Sequence, residues 1–362
     1  MAVNRRGVIA GCAALWPCLA SAKAASTAFT RVECRRLKDD ELRLDWMTSP
    51  SPTAVVVLSS FSADGPFSWN RGKVTDGAWQ GPGSIRPRPY FRLSTPGGAT
   101  ETAERVLPLA GGRNFRDLGG YRSVDGRMVR WGRLYRSGVM SELTDTDYGY
   151  LSSLGIAVIC DFRSTPERNA APDRWVGPNP PQVYTRDYEM DESTLRALAS
   201  KGGATAADTR AAMIATYVDL PYAFADSYRR MFAEILAHRL PLTFNCSAGK
   251  DRSGVAAALI LTALDVPHEQ VVIDYTLSEK VVNDRRLSQQ PPAPHGASGF
   301  EFIQKLPPEA LAPLGRSDPA YLAAAFTEIE RRDGSVANYL SSRLGVGPRE
   351  VKELQRTLLK RV

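Results

Sequence analysis

A cysteine and an arginine six positions apart form the part of the sequence that is best suited to chemistry. Cys246 follows an apolar run and Arg252 precedes an Ala/Leu/Ile-rich run, which predicts a loop between a strand and a helix. Backbone N–H groups that curl inward at a helix start bind tetrahedral oxyanions. The same positive field favours the thiolate of Cys246, and the planar fork of Arg252 can hold two phosphate oxygens. The spacing therefore predicts phosphoryl transfer to a cysteine.

Residues between and beside this pair fit the same chemistry. Gly249 lets the loop curl with no side chain against the anion. Ser253 is placed to donate to the Cys246 sulfur when a phosphocysteine is hydrolysed. A bare Cys-x5-Arg pattern is common by chance, so the prediction depends on the glycine, the hydroxyl and the flanking strand and helix together. The predicted substrate-binding residues are Ser247, Ala248, Gly249, Lys250 and Ser253.

The loop belongs to a half of the chain, residues 108–362, in which strand and helix patterns alternate. Residues 156–160 and 241–245 are apolar and β-branched, as is typical of buried parallel strands. The predicted helices of this half are residues 254–264, 319–331, 336–344 and 348–361. The fold class is therefore α/β, with a central, mostly parallel sheet flanked by helices.

Residues 25–107 have a different pattern. Short alternating or β-branched runs at residues 41–46, 53–58 and 89–93 are separated by turns rich in Pro and Gly, with no helical pattern. This predicts an N-terminal all-β sandwich domain that resembles fibronectin-III or immunoglobulin-like modules. Aromatic residues in it either fill its core or serve binding on its surface; they are Phe67, Trp69 and Trp79.

The first 24 residues are typical of a signal peptide. Arg5 and Arg6 precede an apolar run, and Ala22 and Ala24 supply a small-x-small cleavage pattern. The paired arginines suggest twin-arginine export, while Asn4 before them leaves the general secretory route open. The sequence thus predicts a periplasmic or secreted protein, with no integral membrane segment after cleavage.

Charge and cysteine content exclude other classes. The formal net charge of +7 includes three basic residues of the predicted signal peptide, so the mature chain carries about +4, too little for a nucleic-acid-binding face. The three histidines lie without Cys, Asp or Glu at ligand spacing, which argues against a zinc site and leaves no cofactor implied. Cleavage leaves Cys34, Cys160 and Cys246, and an odd number this small is no disulfide framework.

Three motifs resemble those of the bacterial atypical protein tyrosine phosphatases. Residues 245–254 (Asn-Cys-Ser-Ala-Gly-Lys-Asp-Arg-Ser-Gly) resemble that family's His-Cys-x-Ala-Gly-Lys-Asp-Arg-Thr-Gly loop, with Asn245 and Ser253 as departures. Residues 112–121 contain Asn-Phe-Arg-Asp-Leu-Gly-Gly, and residues 134–138 and 161–168 supply Leu-Tyr-Arg-Ser-Gly, Asp-Phe-Arg-Ser and Glu-Arg in family order. The resemblance spans residues 107–359.

The resemblance implies a cysteine-phosphatase fold and a phosphatase that forms a phosphocysteine on Cys246. Arg252 would bind phosphate, and Asp251 would be the general acid, since the nearby phosphoryl dianion favours its protonated form; bracing of the loop is the other interpretation of Asp251. Lys250 would be a second cation for extra phosphates, as in phosphoinositides, or a solvated surface lysine. With Asn245 in place of histidine, we expect reduced or pH-shifted activity.

Other residues receive supporting roles from the same resemblance. Asp161 is interpreted as a brace for Arg252 or neighbouring amides rather than the acid, and Asp187 as an outside candidate acid. Cys160 is either a thiol that protects Cys246 from overoxidation or, with better support, a buried apolar residue. The residues expected to support the loop are Asn114, Arg116, Asp117, Asp161 and Arg163.

The remaining predictions concern the substrate, a lid over the pocket and the alternative functions. The substrate of the enzyme would be a phosphorylated protein or a phosphoinositide. Phosphotyrosine, phosphoserine and phosphothreonine all present the same tetrahedral phosphate group to the loop. Residues 191–220 are Ala-rich and are predicted to form a helical lid over the pocket. A phosphate-binding pseudophosphatase, or an adhesion or scaffold protein acting through the sandwich, is the alternative function, and the oligomeric state is unknown.

Overall fold

The computed structural model describes residues 29–283 and 303–362, except positions 39, 50–53, 76, 85, 178, 192, 202 and 304. The predicted signal peptide lies outside the described residues. No helix among those described is both long and apolar enough to cross a membrane.

The N-terminal part is built from two antiparallel sheets, which confirms the predicted all-β sandwich. One sheet has the order β1-β2-β5 and the other β4-β3-β6-β7. Alternate residues of the strands face inward and form a core that includes Leu44, Val57, Trp79 and Phe91. The strands are β1 Phe29–Lys38, β2 Glu41–Thr48, β3 Val55–Ser60, β4 Trp69–Val74, β5 Ala78–Pro82, β6 Tyr90–Thr95 and β7 Gly98–Ala103.

The C-terminal part is a mixed α/β domain around a five-stranded sheet of order β12-β11-β13-β10-β8, in which β8 is antiparallel to β10 and the other pairs are parallel. A two-stranded sheet joins β14 to β9. The strands are β8 Arg116–Asp117, β9 Met128–Val129, β10 Leu134–Ser137, β11 Val158–Asp161, β12 Gln182–Tyr184, β13 Leu242–Asn245 and β14 Leu359–Lys360.

Helices flank this sheet and confirm the predicted α/β class. The described helices are α1 Asp145–Ser153, α2 Thr165–Ala170, α3 Ser193–Lys201, α4 Ala206–Ala223, α5 Ala225–Leu236, α6 Arg252–Ala263, α7 His268–Asn283, α8 Pro308–Gly315, α9 Pro319–Asp333, α10 Val336–Leu344 and α11 Pro348–Leu358. The prediction that the last helix continues to residue 361 is wrong, because Leu359 and Lys360 leave the helix to pair with Val129 and Met128.

The centre of the sheet positions the predicted loop. Strand β13 lies between β10 and β11 and is buried along its whole length. Helix α6, which follows, is buried on nearly all sides because its Ala, Val, Leu and Ile residues pack between the sheet and other helices. Residues 246–251 therefore turn at the carboxyl end of a central parallel strand, where α/β sheets place their ligands.

The two parts of the chain share a core. Tyr90 and Ala103 of the sandwich pack with Met128 and Trp131 of the α/β domain. Of the aromatic residues considered for surface binding, Trp79 fills the sandwich core, Phe67 packs against this shared core, and the Trp69 side chain is exposed. The domain bounds of 107 and 108 stay predictions.

Candidate active site

The loop of residues 246–252, called the phosphate loop from here on, has a run of backbone N–H groups that no described residue accepts from. None of the N–H groups of residues 247–252 has a hydrogen-bond acceptor among the residues that the structure describes. The carbonyls of the loop are held on the other side: Val139 N donates to Ser247 O at 3.0 Å, and side chains hold the next three carbonyls. Such an array of free N–H groups at the start of a helix is a cradle for an oxyanion.

Asn114 and Arg136 hold those carbonyls. Asn114 Nδ2 donates to Ala248 O at 3.1 Å and to Gly249 O at 3.0 Å. Arg136 Nη2 donates to Gly249 O at 2.7 Å and to Lys250 O at 3.3 Å. Asn114 therefore lies where the sequence predicted a supporting residue, whereas Arg136 was quoted only as part of a motif.

Arg116 supports the loop one step further away. Its Nη1 donates to Asn114 Oδ1, and its Nη2 donates to Asp274 O and Ser278 Oγ, both at 2.9 Å. Asp274 also accepts from Arg136 Nη1 at 2.6 Å. Burial acts to raise the pKa of Asp274, but the two arginines outweigh it and lower this pKa to about 2. One buried carboxylate thus fixes both arginines.

Gly249 is required by both conformation and space. Its φ is +66°, in the left-handed region. A Cβ atom there would lie 2.5 Å from the carbonyl carbon of Ser137, well inside van der Waals contact. The strand β10 backbone can therefore approach the loop only because this residue has no side chain.

Arg252 is held by Glu167, which the sequence motif contained without an assigned role. Arg252 Nη1 donates to Glu167 Oε2 at 2.6 Å and Nη2 to Glu167 Oε1 at 2.7 Å, and Nη1 also reaches Tyr188 Oη at 2.8 Å. Burial acts to raise the pKa of Glu167, but hydrogen bonds from Arg252, Ser247 and the Ser164 N–H lower it to about 2. The carboxylate is therefore ionised and fixes the guanidinium.

A local pattern could have identified Glu167. Ser164 is the N-cap of helix α2, and Glu167 completes a capping box by accepting from the Ser164 N–H at 2.7 Å. The pattern Ser-x-x-Glu predicts this cap, but not the second use of the carboxylate, since Arg252 lies 85 positions away.

Asp251 is fixed through one of its two oxygens. Tyr217 Oη donates to Asp251 Oδ1 at 2.6 Å, and Lys250 Nζ lies 3.3 Å from the same oxygen. Tyr217 is fully buried, and its hydroxyl also meets that of Tyr275 at 2.7 Å. Oδ2 has no hydrogen-bond partner within the described part of the chain, and 27% of the side chain is exposed.

Lys250 differs from one of the two interpretations offered by the sequence. Its side chain is buried, and Nζ donates to the carbonyls of Leu314 and Arg316 at the end of helix α8, the latter at 2.9 Å. The interpretation as a solvated surface lysine is wrong, because Nζ bonds two backbone carbonyls and lies 3.3 Å from Asp251 Oδ1; the role of a second cation for extra phosphates stays a prediction.

Asp161 and Arg163 support the strand before the loop rather than Arg252. Asp161 accepts from Arg163 Nη2 at 2.7 Å and from Asn245 Nδ2 at 3.0 Å. Of the two expected roles of Asp161, the brace to Arg252 is wrong, since Glu167 occupies that position, whereas Asp161 does brace a neighbouring amide, because it accepts from the Arg163 N–H at 3.0 Å. Asn245 likewise bonds a carboxylate and not the loop backbone.

The side chains of three further predicted residues make no hydrogen bond to the phosphate loop among the described residues. Asp117 contacts Arg88 and the N–H groups of Gly119 and Gly132, not the loop. Ser253 Oγ is buried with no partner among the described residues, so the donation to the Cys246 sulfur that is expected when a phosphocysteine is hydrolysed stays a prediction. Asp187 is exposed and pairs with Arg168.

The three described cysteines are free and buried. Cys246 is 1% exposed at the start of the cradle. Burial raises the pKa of Cys160 to about 12, which fits the interpretation as an apolar core residue, and Cys34 lies in the sandwich core.

The predicted lid is helical but is not a detachable segment. Residues 191–220 form α3 and most of α4. Tyr217 and Leu220 of α4 belong to the main core, and Tyr217 reaches Asp251. Deleting the whole segment would therefore remove core residues; a covering role for α3 stays a prediction.

We expect Gly249→Ala to weaken binding of inorganic phosphate at least about tenfold, because the added Cβ displaces the loop from Ser137. Gly345→Ala is the matched control: its φ of +72° carries the same backbone cost of about 1 kcal/mol, but nothing lies within 4 Å of its Cβ. Calorimetric titration with phosphate checks both. Wild-type affinity in Gly249→Ala would refute the role given to this glycine.

We expect Glu167→Gln to lower the free energy of unfolding at neutral pH by about 3 kcal/mol, because it leaves a buried guanidinium without its counter-charge. Glu353→Gln, which breaks the more exposed pair with Arg356, should lower the free energy of unfolding far less, because water already solvates both charges. Urea denaturation of the three proteins measures the difference.

The same variant tests the acid dependence. The pKa of Glu167 falls from 4.5 to about 2 on folding, so its stabilisation is complete above pH 4.5 and is lost as the pH falls toward 2. Across this window the unfolding free energy of the wild type should fall more steeply than that of Glu167→Gln. Parallel pH profiles would count against the ion pair.

Comparisons with known proteins agree with this geometry. The sequence profile of the tyrosine phosphatase family matches residues 107–360. The chain is 34% identical over 239 residues to a Cupriavidus necator protein provisionally named a tyrosine-protein phosphatase, covering 64% of this chain and 82% of that protein. It is 28% identical over 291 residues to the triple specificity protein phosphatase PtpB of Mycobacterium tuberculosis, covering 70% and 99%. A tyrosine-protein phosphatase of Nostoc commune is 25% identical over 236 residues, covering 61% and 72%. The chain is a phosphatase and belongs to the tyrosine phosphatase family.

Proposed function

We propose that the enzyme hydrolyses phosphomonoesters through a phosphocysteine on Cys246. The thiolate attacks phosphorus while the bond to the leaving oxygen breaks and Asp251 protonates that oxygen. Water then attacks phosphorus, the Asp251 carboxylate accepts its proton, and the S–P bond breaks to release phosphate and the thiolate. The observation that carries this proposal is the row of N–H groups in residues 247–252, beside Cys246, that have no acceptor in the described part of the chain.

Arg252 is suited to hold the phosphoryl group as it moves. Glu167 occupies the outer ends of both Nη groups. The Nε–H and the second hydrogen of Nη2 have no acceptor among the described residues, and they form the other edge of the planar fork. That edge can bind two phosphate oxygens at once while Glu167 holds the opposite edge.

Asp251 is oriented for proton transfer. Tyr217 and Lys250 hold Oδ1, so the oxygen free to carry a proton is Oδ2. A fixed Oδ1 keeps the carboxyl plane in place as the proton leaves from Oδ2, which is the geometric requirement of a general acid.

Phosphotyrosine is the proposed main substrate class, and phosphoserine, phosphothreonine and phosphoinositides are weaker candidates. Extra phosphates of an inositol headgroup need a free cation, and Lys250 is tied to Leu314 and Arg316. The predicted export signal would place the substrates in the periplasm or outside the cell.

The test is phosphate release in the presence of a chelator from phosphotyrosine peptide, phosphoserine peptide and a phosphoinositide. We expect release from the wild type, fastest with phosphotyrosine, and none above background from Cys246→Ser, whose hydroxyl is a far weaker nucleophile. Cys160→Ser, which alters a core thiol outside the loop, should retain activity. Turnover by Cys246→Ser would contradict the mechanism, and a wild type that binds phosphate without turnover would favour the pseudophosphatase.

Tyr217→Phe tests the orientation of Asp251. We expect kcat on phosphotyrosine to fall about tenfold, with a smaller loss on p-nitrophenyl phosphate, whose better leaving group needs less protonation. Tyr222→Phe is the control, because Tyr222 lies on the same helix and its hydroxyl bonds Asp333 instead. Equal losses on both substrates would show that Tyr217 affects something other than the acid.

A further inference from the structure

A buried arginine of the sandwich enters the α/β domain. Arg88 precedes strand β6 and is 3% exposed. Its Nη1 donates to Asp117 Oδ2 at 2.7 Å and to Tyr135 Oη at 3.3 Å, and its Nη2 donates to Glu104 O at 2.6 Å. Its guanidinium also lies 4.9 Å from the ring centroid of Tyr90. One side chain thus joins the sandwich to strands β8 and β10.

The two contacted residues are cross-strand partners. Tyr135 of β10 lies opposite Asp117 of β8, and the next pair in the register is Arg136 opposite Arg116. Successive side chains of a strand point to opposite faces of the sheet. Asp117 and Tyr135 face the sandwich, whereas Arg116 and Arg136 face Asp274 and the phosphate loop.

This register links Arg88 to the cradle. Arg136 holds the carbonyls of Gly249 and Lys250 directly, and Arg116 holds Asn114, which holds Ala248. The two-residue strand β8 pairs with β10 along one edge. Along the other edge Arg116 forms a bridge with Val106, and Asp117 N donates to Arg105 O at 2.9 Å. The ion pair of Arg88 with Asp117 adds a buried side-chain contact to these backbone bonds, and together they hold the backbone that carries the loop supports.

We propose that Arg88 is a positioning residue of the phosphatase, through which the sandwich holds the phosphate loop in its anion-binding form. The sandwich then acts as an integral part of the catalytic unit and not as a spacer. The expected change in kcat rests on the proposed function. The expected change in affinity for inorganic phosphate depends only on the array of N–H groups in the phosphate loop.

The test uses the full chain with Arg88→Met, which keeps the apolar stem and removes the fork. We expect kcat on p-nitrophenyl phosphate to fall about tenfold, and inorganic phosphate to bind several-fold more weakly, because small displacements of a site are costly. Both are measured at a temperature where near-ultraviolet circular dichroism shows the variant fully folded. Arg92→Met is the control. Arg92 lies in strand β6, which Arg88 precedes; its side chain is 39% exposed, and its Nη1 lies 3.9 Å from Glu101 Oε1.

A double variant separates positioning from stability. Arg88→Met leaves the Asp117 carboxylate buried beside only two N–H donors, which destabilises the fold. Arg88→Met/Asp117→Asn removes that charge but keeps only one of the two acceptor oxygens, so thermal stability should recover in part while kcat and phosphate binding stay low. Recovery of kcat and of phosphate affinity in the double variant would overturn the proposal. Wild-type values of kcat and phosphate affinity in folded Arg88→Met would also overturn it.

Arg88→Lys keeps the positive charge beside Asp117, so it can be measured even if the other variants do not fold. Lysine cannot reach Asp117, Tyr135 and Glu104 O together, so we expect a milder loss of the same two quantities. Wild-type values in Arg88→Lys would overturn the requirement for the fork. If the wild type proves to lack turnover, phosphate titration alone still decides between these outcomes.

Discussion

The site depends on carbonyl groups being held away from the anion. A loop between a strand and a helix can turn its N–H groups or its carbonyls toward the pocket, and only the first arrangement attracts phosphate. Asn114 and Arg136 select it by bonding the carbonyls of Ala248, Gly249 and Lys250. The free N–H groups that result are costly to bury without a partner, so rigid support is needed before any ligand arrives.

The arginines that support these carbonyls, directly or through Asn114, are charged and buried. Each buried charge needs a partner of opposite charge behind it. Two buried arginines repel one another, and each loses hydration, so burial lowers the pKa of Arg116 to about 10, with Arg136 adding to the effect. Asp274 and the loop carbonyls supply the compensating negative charge. On the opposite face of the same short strands, Asp117 requires a cation of its own and receives it from the sandwich. The charges that support the loop and the contacts that join the two modules therefore lie on opposite faces of the same short strands.

Much of this could be predicted from the sequence, but not all. The roles of Cys246, Gly249 and Arg252 could be predicted, because the residues around them have the patterns of a strand, a tight turn and a helix in direct succession. The partners of the loop are brought from distant segments by the tertiary fold, and no local pattern predicts that Glu167 meets Arg252. The error over Asp117 had a physical signal: as the neighbour of Arg116 in a strand, it must face the other way.

We propose that the phosphoryl group passes through Cys246 inside this cradle. Rapid acid quenching of the enzyme during turnover of p-nitrophenyl phosphate, followed by peptide mass spectrometry, detects such a phosphocysteine. We expect one added phosphoryl group on the peptide that contains Cys246, and none on the same peptide of Cys246→Ser. A phosphoryl group on another residue during turnover, or turnover by Cys246→Ser, would contradict it.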